Sequence, residues 1–383
     1  MAGPVRRGFV LTIRSAMLLV LLSGLWMGWR VNRANDQRRA VAAIRRAGGG
    51  ISYSYPFLVW KGYRNPNARP WAPAWLRHWL GDEFFQEVLS VQFLNRPLTD
   101  HDLAPLASLD CLEELAISGA PITDGGLKYI ANLKELRTLH LWETPGITDA
   151  GIAHLSSLTK LQTLALYRCS ITDASLVHLR TMDNLEMLDL AKTGVMGPGL
   201  SHLDRMAKLR RLFTPTNRAG LAHIGRLHGL QELYAYDNRH PTPGEGLTDL
   251  AGLKGLKVLV LGDNLCSDAG LATLSSRLSG LTQLGIGGER VTDAGLNHVA
   301  KLKGLQELTI YKSRVTGAGL AVLLDLPNLT SLDLQESAGV DDSGVEPLRK
   351  LTRLRTLGLG GTTVSDAGMT VIRQAVPTAR VIR

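Results

Sequence analysis

Leucine residues return along most of this chain at a spacing of about 24 residues. Each unit contains a Leu-x-x-Leu-x-Leu segment, as at Leu161, Leu164 and Leu166. The units align on a further apolar residue that closes a Gly-Leu-like pair: Leu103, Leu127, Ile152, Leu176, Leu200, Leu221, Leu247, Leu271, Leu296, Leu320, Val345 and Met369. A period in this range is typical of a solenoid, in which each repeat packs only against its neighbours.

The spacing within each unit predicts a strand, a turn and a helix. In Leu-x-Leu the two leucines should point inward and the middle residue outward, because side chains alternate along a strand. A Thr/Ser-Asp pair then provides a capping oxygen for the next helix. A small polar residue marks the turn three positions after the strand leucine: Thr144, Cys169, Thr193, Asn217, Asn238, Asn264, Ser313, Ser337 and Thr362. We therefore predict that Leu164 and Leu188 are buried between the rungs.

The turn-to-helix phrase carries a family resemblance. It reads Ile-Thr-Asp-Ala-Gly-Ile at 147–152 and Val-Thr-Asp-Ala-Gly-Leu at 291–296. This pattern resembles leucine-rich repeats of the ribonuclease-inhibitor-like type, which includes the repeats of F-box substrate receptors. The resemblance implies an α/β fold: a right-handed solenoid with a concave parallel sheet, helices on the convex face, and a surface that binds a partner.

The N-terminal quarter is different in composition. Residues 1–7 read as a tail, and residues 8–29 are apolar except for Arg14, with Trp26 and Trp29 suited to a membrane interface. We predict a single transmembrane anchor at 8–29, as in bacterial membrane-anchored leucine-rich repeat proteins, which this chain resembles. The alternative is a buried helix of a soluble domain. Residues 30–50 should form a basic juxtamembrane helix with a glycine hinge, residues 51–97 an N-terminal cap with the first rung, and residues 98–383 the repeats and a C-terminal cap.

Positive charge is concentrated beside this segment. The chain has a formal net charge of +9, and residues 1–46 hold nine arginines against one aspartate. We therefore expect contact between residues 30–46 and anionic lipid headgroups, and no nucleic-acid partner for the nearly neutral repeats. The positive-inside rule favours a single-pass protein with cytoplasmic repeats, and the absence of a disulfide framework among three cysteines agrees with it.

No motif for catalysis, a cofactor or a metal is present in the sequence. It lacks a P-loop, His-Glu-x-x-His and Gly-x-Ser-x-Gly. One histidine position recurs in the helices, at His154, His178, His202, His223 and His298. A metal ladder is conceivable there, but we favour a solvent-facing position copied by repeat duplication, because metal ligands must converge on one point.

Aromatic residues at outward strand positions indicate where a partner could bind. The positions are His140, Trp142, Tyr167, Phe213, Tyr234, Tyr236 and Tyr311. Exposed aromatics on a rigid surface dominate many binding energies, although aromatic residues also favour strands for other reasons. The 237–246 segment, with prolines 241 and 243, is either a plain insertion or a loop at the rim of this face. We predict a non-enzymatic, membrane-anchored interaction module; the alternatives are an F-box-like adaptor and a structural cell-envelope protein.

Overall fold

One sheet runs through the protein from end to end. The computed structural model describes residues 13–54, 72–236, 246–262 and 265–383, and within these residues the sheet has fourteen strands in chain order. The first strand pairs antiparallel with the second, and every later neighbour pairs in parallel. The leucine-rich repeat solenoid predicted from the sequence is therefore confirmed.

Short strands and short helices alternate along the chain. The strands are β1 Gly50–Ser54, β2 Glu87–Leu94, β3 Glu114–Ser118, β4 Thr138–Trp142, β5 Thr163–Ala165, β6 Met187–Asp189, β7 Arg211–Pro215, β8 Glu232–Tyr236, β9 Val258–Leu261, β10 Gln283–Gly287, β11 Glu307–Tyr311, β12 Ser331–Asp333, β13 Thr356–Gly358 and β14 Arg380–Ile382. The α-helices are α1 Ile13–Arg46, α2 Ala74–Leu80, α3 Asp124–Ile130, α4 Asp149–Leu155, α5 Arg218–Ile224, α6 Asp268–Arg277, α7 Asp293–Val299, α8 Val345–Lys350 and α9 Asp366–Ala375. Other rungs use 3-10 helices instead, at Asp82–Phe84, Asp100–Ser108, Asp173–Leu179, Pro198–Leu203, Gly246–Gly252, Ala318–Asp325 and Asp342–Gly344.

The repeat leucines form a continuous core between the sheet and the helices. Leu164 pairs with Leu139 on one side and with Leu188 on the other, and all three have no exposed surface. The same inward row continues along the whole sheet, so each leucine touches the rungs above and below. The prediction that Leu164 and Leu188 are buried is confirmed.

The Thr-Asp phrase does more than cap helices. The Thr148 side chain does accept a hydrogen bond from the Ala150 amide at 3.3 Å, as predicted for an N-cap. In addition, the carboxylate of Asp124 in the preceding rung accepts from the Thr148 amide at 2.8 Å and from its hydroxyl at 2.6 Å. The aspartate of one rung thus binds the cap of the next, and we call this contact the Asp–Thr bridge.

Asp–Thr bridges recur at several rungs. Asp268 binds the amide and hydroxyl of Thr292 at 2.9 and 2.6 Å. Equivalent pairs are Asp100 with Thr123, Asp149 with Thr172, Asp293 with Thr316, and Asp342 with the Ser365 amide. Where the phrase becomes Val-Met-Gly-Pro-Gly-Leu at 195–200, Asp173 is left with two longer bonds, from the Met196 and Gly197 amides at 3.3 and 3.2 Å.

The glycine of the phrase belongs to the same contact. A Cβ atom on Gly151 would collide with Oδ1 of Asp124, the oxygen that binds the Thr148 amide. Gly295 has the same relation to Asp268. Threonine, aspartate and glycine therefore recur together because the carboxylate of one rung needs both a donor and an open space in the next.

The N-terminal helix is partly a cap for the solenoid. Ala40, Val41 and Ile44 are buried in the main core, and Nε2 of Gln37 donates to the Gln86 carbonyl at 2.9 Å. A separate small cluster joins Ala34 of this helix to Ala72, Phe84 and Phe85. The C-terminal half of α1 therefore packs against the solenoid, where the sequence suggested only a basic juxtamembrane segment. The alternative of a buried helix concerned residues 8–29, and side chains described there, such as Leu18 and Leu25, are exposed.

Several of the arginines expected to face lipid headgroups bind the cap instead. Arg30 Nη1 lies 2.8 Å from Glu87 Oε1, and Arg33 reaches the same carboxylate at 3.4 Å. Arg38 pairs with Glu83 at 3.2 Å. These contacts give the cluster an intramolecular role, so the positive charge of residues 30–46 does not support a lipid surface.

The predicted membrane anchor at residues 8–29 is a wrong expectation. Within the described residues, no helix is long and apolar enough to cross a membrane. Of the predicted segment, residues 8–12 lie outside the described residues. The described apolar stretch begins at Ile13 and ends at Trp29, where the same helix continues with Arg30 and Arg33 into the cap. Single-pass membrane localisation, and the cytoplasmic placement of the repeats that followed from it, are corrected accordingly.

The aromatic residues of the cap predicted at residues 51–97 divide into two groups. Phe84 and Phe85 are buried and in edge contact, with ring centroids 5.0 Å apart. Trp75 and Trp79 are instead 70% and 84% exposed, because helix α2 buries none of its residues. Tyr55, Trp60 and Trp71 lie outside the described residues.

Truncation of a core leucine should destabilise the whole stack. We expect Leu164→Ala to lower the free energy of unfolding by about 2–5 kcal/mol, since the side chain is fully buried between two rungs. Leu164→Asp should cost more, because it places an unpaired charge in the core. Denaturant unfolding followed by circular dichroism measures both. An unchanged unfolding midpoint for Leu164→Asp would show that the strand register is wrong.

Loss of one Asp–Thr bridge should also be measurable. We expect Asp124→Ala to cost about 1–3 kcal/mol, because it removes two hydrogen bonds to a charged acceptor and leaves the Thr148 amide without its partner. The matched control is Asp183→Ala at an exposed turn, which should change stability by less than about 0.5 kcal/mol. Equal effects of the two substitutions in chemical denaturation would contradict the bridge.

Candidate functional site

The face of the sheet opposite the leucine core carries the outward strand residues, and we call it the open face. The strand register arranges these residues in rows. One row runs through His140, Ala165, Asp189, Phe213 and Tyr234 on strands β4 to β8, and it continues to Val260 and Gly285. A second row, two residues further along each strand, contains Trp142, Pro215 and Tyr236. The predicted site residues of β4 to β8 therefore lie on neighbouring strands.

Two pairs of rings are in contact. His140 and Trp142 meet edge to face, with centroids 4.7 Å apart and planes at 84°. Phe213 and Tyr234 are stacked, with centroids 4.3 Å apart and planes at 7°. Tyr167 follows two residues after Ala165, the register partner of His140, so it occupies the next rung beside Trp142. We call His140, Trp142, Tyr167, Phe213, Tyr234 and Tyr236 the aromatic patch.

Tyr311 does not join this patch. Its hydroxyl donates to the Leu261 carbonyl at 2.8 Å, although Leu261 is on β9 and Tyr311 on β11. The side chain therefore reaches over β10, and a Cβ atom on Gly287 would lie only 2.7 Å from the Tyr311 ring. The glycine of β10 makes room for a tyrosine that packs along the sheet, and the seventh predicted residue is separate from the other six.

The structure adds one residue that the aromatic pattern did not reveal. Asp189 on β6 is the register partner of Phe213, and it lies between the Tyr167 and Phe213 rungs. Partial burial raises the pKa of its carboxyl group, and the hydrogen bond from the Ala191 amide at 2.8 Å opposes that shift. The available signal was the repeat register itself, which places position 189 in the same row as His140 and Tyr234.

The phenols of the patch lie in an acidic environment. Burial first, and then the Glu232 and Glu307 carboxylates, raise the pKa of Tyr234. The pKa of Tyr236 is raised by burial, by Tyr234 and by Asp189. Both phenols are therefore neutral hydrogen-bond donors at physiological pH, and Asp189 is close enough to Tyr236 to affect its titration.

His140 is the one patch residue with an unsatisfied buried atom among the described residues. Its Nδ1 is buried and has no hydrogen-bond partner there. Burial lowers the pKa of His140, and the Glu114 carboxylate only partly opposes this. The imidazole is consequently neutral at pH 7 and lies perpendicular to the Trp142 ring.

The remaining reactive side chains do not form a chemical site. Cys169 is buried, 3.2 Å from the Thr144 hydroxyl, and burial raises the pKa of its thiol to about 11. Cys266 is also buried, and burial raises its thiol pKa as well. In the part of the chain that the structure describes, no three His, Cys, Asp or Glu side chains converge on a point that could hold a metal ion. The five repeated histidines are spread along the helices, and residues 237–245 of the predicted rim loop lie outside the described residues.

Comparison with known proteins decides the family. The family described as "leucine-rich repeat region" matches residues 124–374, and a second leucine-rich repeat family matches residues 110–131. The chain belongs to the leucine-rich repeat family. The matches do not distinguish the ribonuclease-inhibitor-like or F-box subtype.

The chain is similar to several solved structures. An internalin from Listeria monocytogenes is 22% identical over 76% of this chain and 86% of its own, with a TM-score of 0.56. The ectodomain of the Arabidopsis thaliana receptor kinase GASSHO1/SCHENGEN3, in complex with CASPARIAN STRIP INTEGRITY FACTOR 2, is 16% identical over 77% of this chain and 38% of its own, with a TM-score of 0.47. Comparison with curated proteins gives no match. At 22% identity the internalin structure is evidence of a common fold and not of a common partner.

The lowered pKa of His140 predicts how the free energy of unfolding changes with pH. The unfolded chain should take up this proton near the ordinary value of 6.5, and the folded chain only at lower pH. The stabilisation from neutral His140 is therefore complete above about pH 6.5 and is lost as the pH falls through the lowered folded pKa. We expect His140→Gln to lose less unfolding free energy than the unchanged protein between pH 7 and 5. The exposed His101→Gln variant is the control, and identical pH slopes for all three proteins would contradict this role of His140.

Proposed function

We propose that this protein is an interaction module that binds another protein on its open face, with the aromatic patch at the centre of the contact. Leucine-rich repeat proteins are typically non-enzymatic interaction modules, and their solenoids present extended surfaces on rigid strands. The observation that carries the proposal is that five ring side chains on β4, β7 and β8, with Tyr167 in the turn two residues after β5, lie on one face of a single continuous sheet.

The physical argument concerns rigidity. A ring that is held by a strand and by a neighbouring ring loses little conformational entropy when a partner covers it, so most of its contact energy is retained. Trp142 is held by His140, and Phe213 by Tyr234. All the strands concerned belong to the same hydrogen-bonded sheet, which keeps the two pairs at a fixed separation. Such pre-arranged aromatic groups are the type of residue that forms binding hot spots.

Truncation of Trp142 distinguishes a role of this ring in partner binding from a role in packing on the sheet. We expect Trp142→Ala to weaken partner binding by at least about 2 kcal/mol, which is roughly thirtyfold in Kd, while the melting temperature changes little. The Trp79→Ala variant is the matched control, because Trp79 is exposed on the cap and outside the patch. Affinity capture with quantitative mass spectrometry provides the measurement, using the unchanged protein and both variants at equal concentration.

The outcomes are distinct. A protein that is captured by the unchanged chain and by Trp79→Ala but lost with Trp142→Ala supports the proposal. Unchanged capture by Trp142→Ala together with a lowered melting temperature would remove the patch as a binding site. In that case the ring would have only a packing role on the sheet.

A further inference from the structure

The aromatic patch contains one carboxylate whose surroundings match a particular side chain. We propose that Asp189 and the Phe213 ring together bind an arginine side chain of the protein partner. This inference rests on the proposed function and specifies the chemistry of the partner at one point of the patch. Its basis is the geometry of β6, β7 and β8 and the distribution of charge on the open face.

The orientation of the rings comes first. Phe213 and Tyr234 are nearly parallel, 4.3 Å apart, and lie on adjacent strands. Tyr234 therefore covers the face of Phe213 that looks toward β8. The second face of Phe213 looks in the opposite direction, toward β6, where its register partner is Asp189. An aromatic face and a carboxylate are thus neighbours on adjacent strands.

The carboxylate has capacity for another partner. Its Oδ1 accepts one hydrogen bond from the Ala191 amide, and no Lys, Arg or His of the described residues forms an ion pair with it. Partial burial raises the pKa of Asp189, as expected for a charge that gains no nearby cation. Two residues next to Asp189 have small side chains: its register partner Ala165 on β5, and Ala191, two residues further along the chain. A cation that approached Asp189 would relieve the cost of burying this charge.

Acidic residues also outnumber basic residues in the two rows of the open face that contain Asp189 and its neighbours. The two rows that run from Ser90 to Arg380 and from Gln92 to Ile382 hold two arginines, Arg211 and Arg380, against the acidic residues Glu114, Asp189, Glu232, Glu307 and Asp333. The repeats as a whole are nearly neutral, because most of the net charge of +9 lies in residues 1–46. These two rows of the open face are therefore locally acidic, which favours a basic segment of a partner.

Arginine fits these groups better than lysine. A guanidinium is planar, so it can stack on the free Phe213 face while its N–H groups donate in parallel to the Asp189 carboxylate. An ammonium group can make only the point-charge part of this interaction. Tyr236 lies on β8 two residues after Tyr234, and Asp189 contributes to the raised pKa of its phenol, so a neutral hydroxyl lies near the carboxylate.

The test uses the full chain and four end-blocked, fluorescently labelled peptides with the same Gly-Ser spacing. Their variable positions are arginine, lysine, citrulline or glutamine. Citrulline keeps the shape of arginine and removes its charge. In fluorescence anisotropy titrations up to about 1 mM peptide, we expect the arginine peptide to bind about tenfold more tightly than the citrulline peptide and at least threefold more tightly than the lysine peptide.

Variants of the protein locate the effect. Asp189→Asn should abolish the difference between arginine and citrulline, and Phe213→Leu should abolish the difference between arginine and lysine. Asp183→Asn, at an exposed turn outside the open face, is the matched control and should retain both differences. Melting temperatures of the three variants show that each is folded. Equal binding of the arginine and citrulline peptides, or an arginine preference that persists in Asp189→Asn, would overturn the proposal.

This inference can fail independently of the proposed function. If a captured partner is lost with Trp142→Ala but bound normally by Asp189→Asn, the open face remains the binding surface and the arginine site is refuted. If the partner is retained by Trp142→Ala, the proposed function fails whatever the peptides show.

Discussion

The Asp–Thr bridge is the contact on which the regularity of this solenoid depends. Leucines alone would hold two rungs together, but burial of apolar surface is not directional and does not specify how the rungs are aligned. The bridge from Asp124 to Thr148 is directional, because one carboxylate receives both an amide and a hydroxyl at fixed positions. Gly151 is needed for this approach, because a Cβ atom there would collide with the Asp124 carboxylate. Each bridge thus transmits the alignment of one rung to the next.

This alignment converts a sequence period into rows of side chains. Residues one repeat apart become neighbours on adjacent strands, so Asp189, Phe213 and Tyr234 lie side by side although they are 24 and 21 positions apart in sequence. The bridges are weakest near the same rungs, where Asp173 makes only longer bonds to Met196 and Gly197. The patch therefore occupies the part of the solenoid where the repeat phrase departs from its usual form. Its strands nevertheless remain in register, since the leucine core is uninterrupted through Leu188, Leu212 and Leu233.

Periodicity was sufficient to predict the features that depend on one rung at a time. The strands, the buried Leu164 and the threonine caps all follow from spacing within a unit, and the outward position of Trp142 does as well. The role of the aspartate could not be predicted in this way, because its partner is in the next rung and its spacing is invisible within the phrase. The position of Tyr311 could not be predicted for a similar reason. Its hydroxyl donates to the Leu261 carbonyl two strands away, and the ring crosses a glycine of β10 whose role does not appear in the pattern of a single repeat.

The N-terminal error has a related cause. Hydrophobicity alone cannot distinguish an anchor from a helix whose second half packs on a cap, and the decisive contacts of Arg30 with Glu87 and of Ile44 with the core are long-range. Asp189 was not predicted as a site residue, because the prediction selected aromatic side chains. Its importance depends on its position beside Phe213 on the adjacent strand, which only the structure shows.

Hydroxyl-radical footprinting of the free and partner-bound protein tests the central claim, that the aromatic patch is the contact surface, most directly. It reports the accessibility of individual rings, and the chain contains its own reference in Trp75 and Trp79, which are exposed on the cap. The account predicts that partner binding lowers the reactivity of Trp142, Tyr167, Phe213 and Tyr234 severalfold and leaves Trp75 and Trp79 unchanged. Protection of the cap tryptophans or of the helices, with full reactivity retained at the patch, would contradict it.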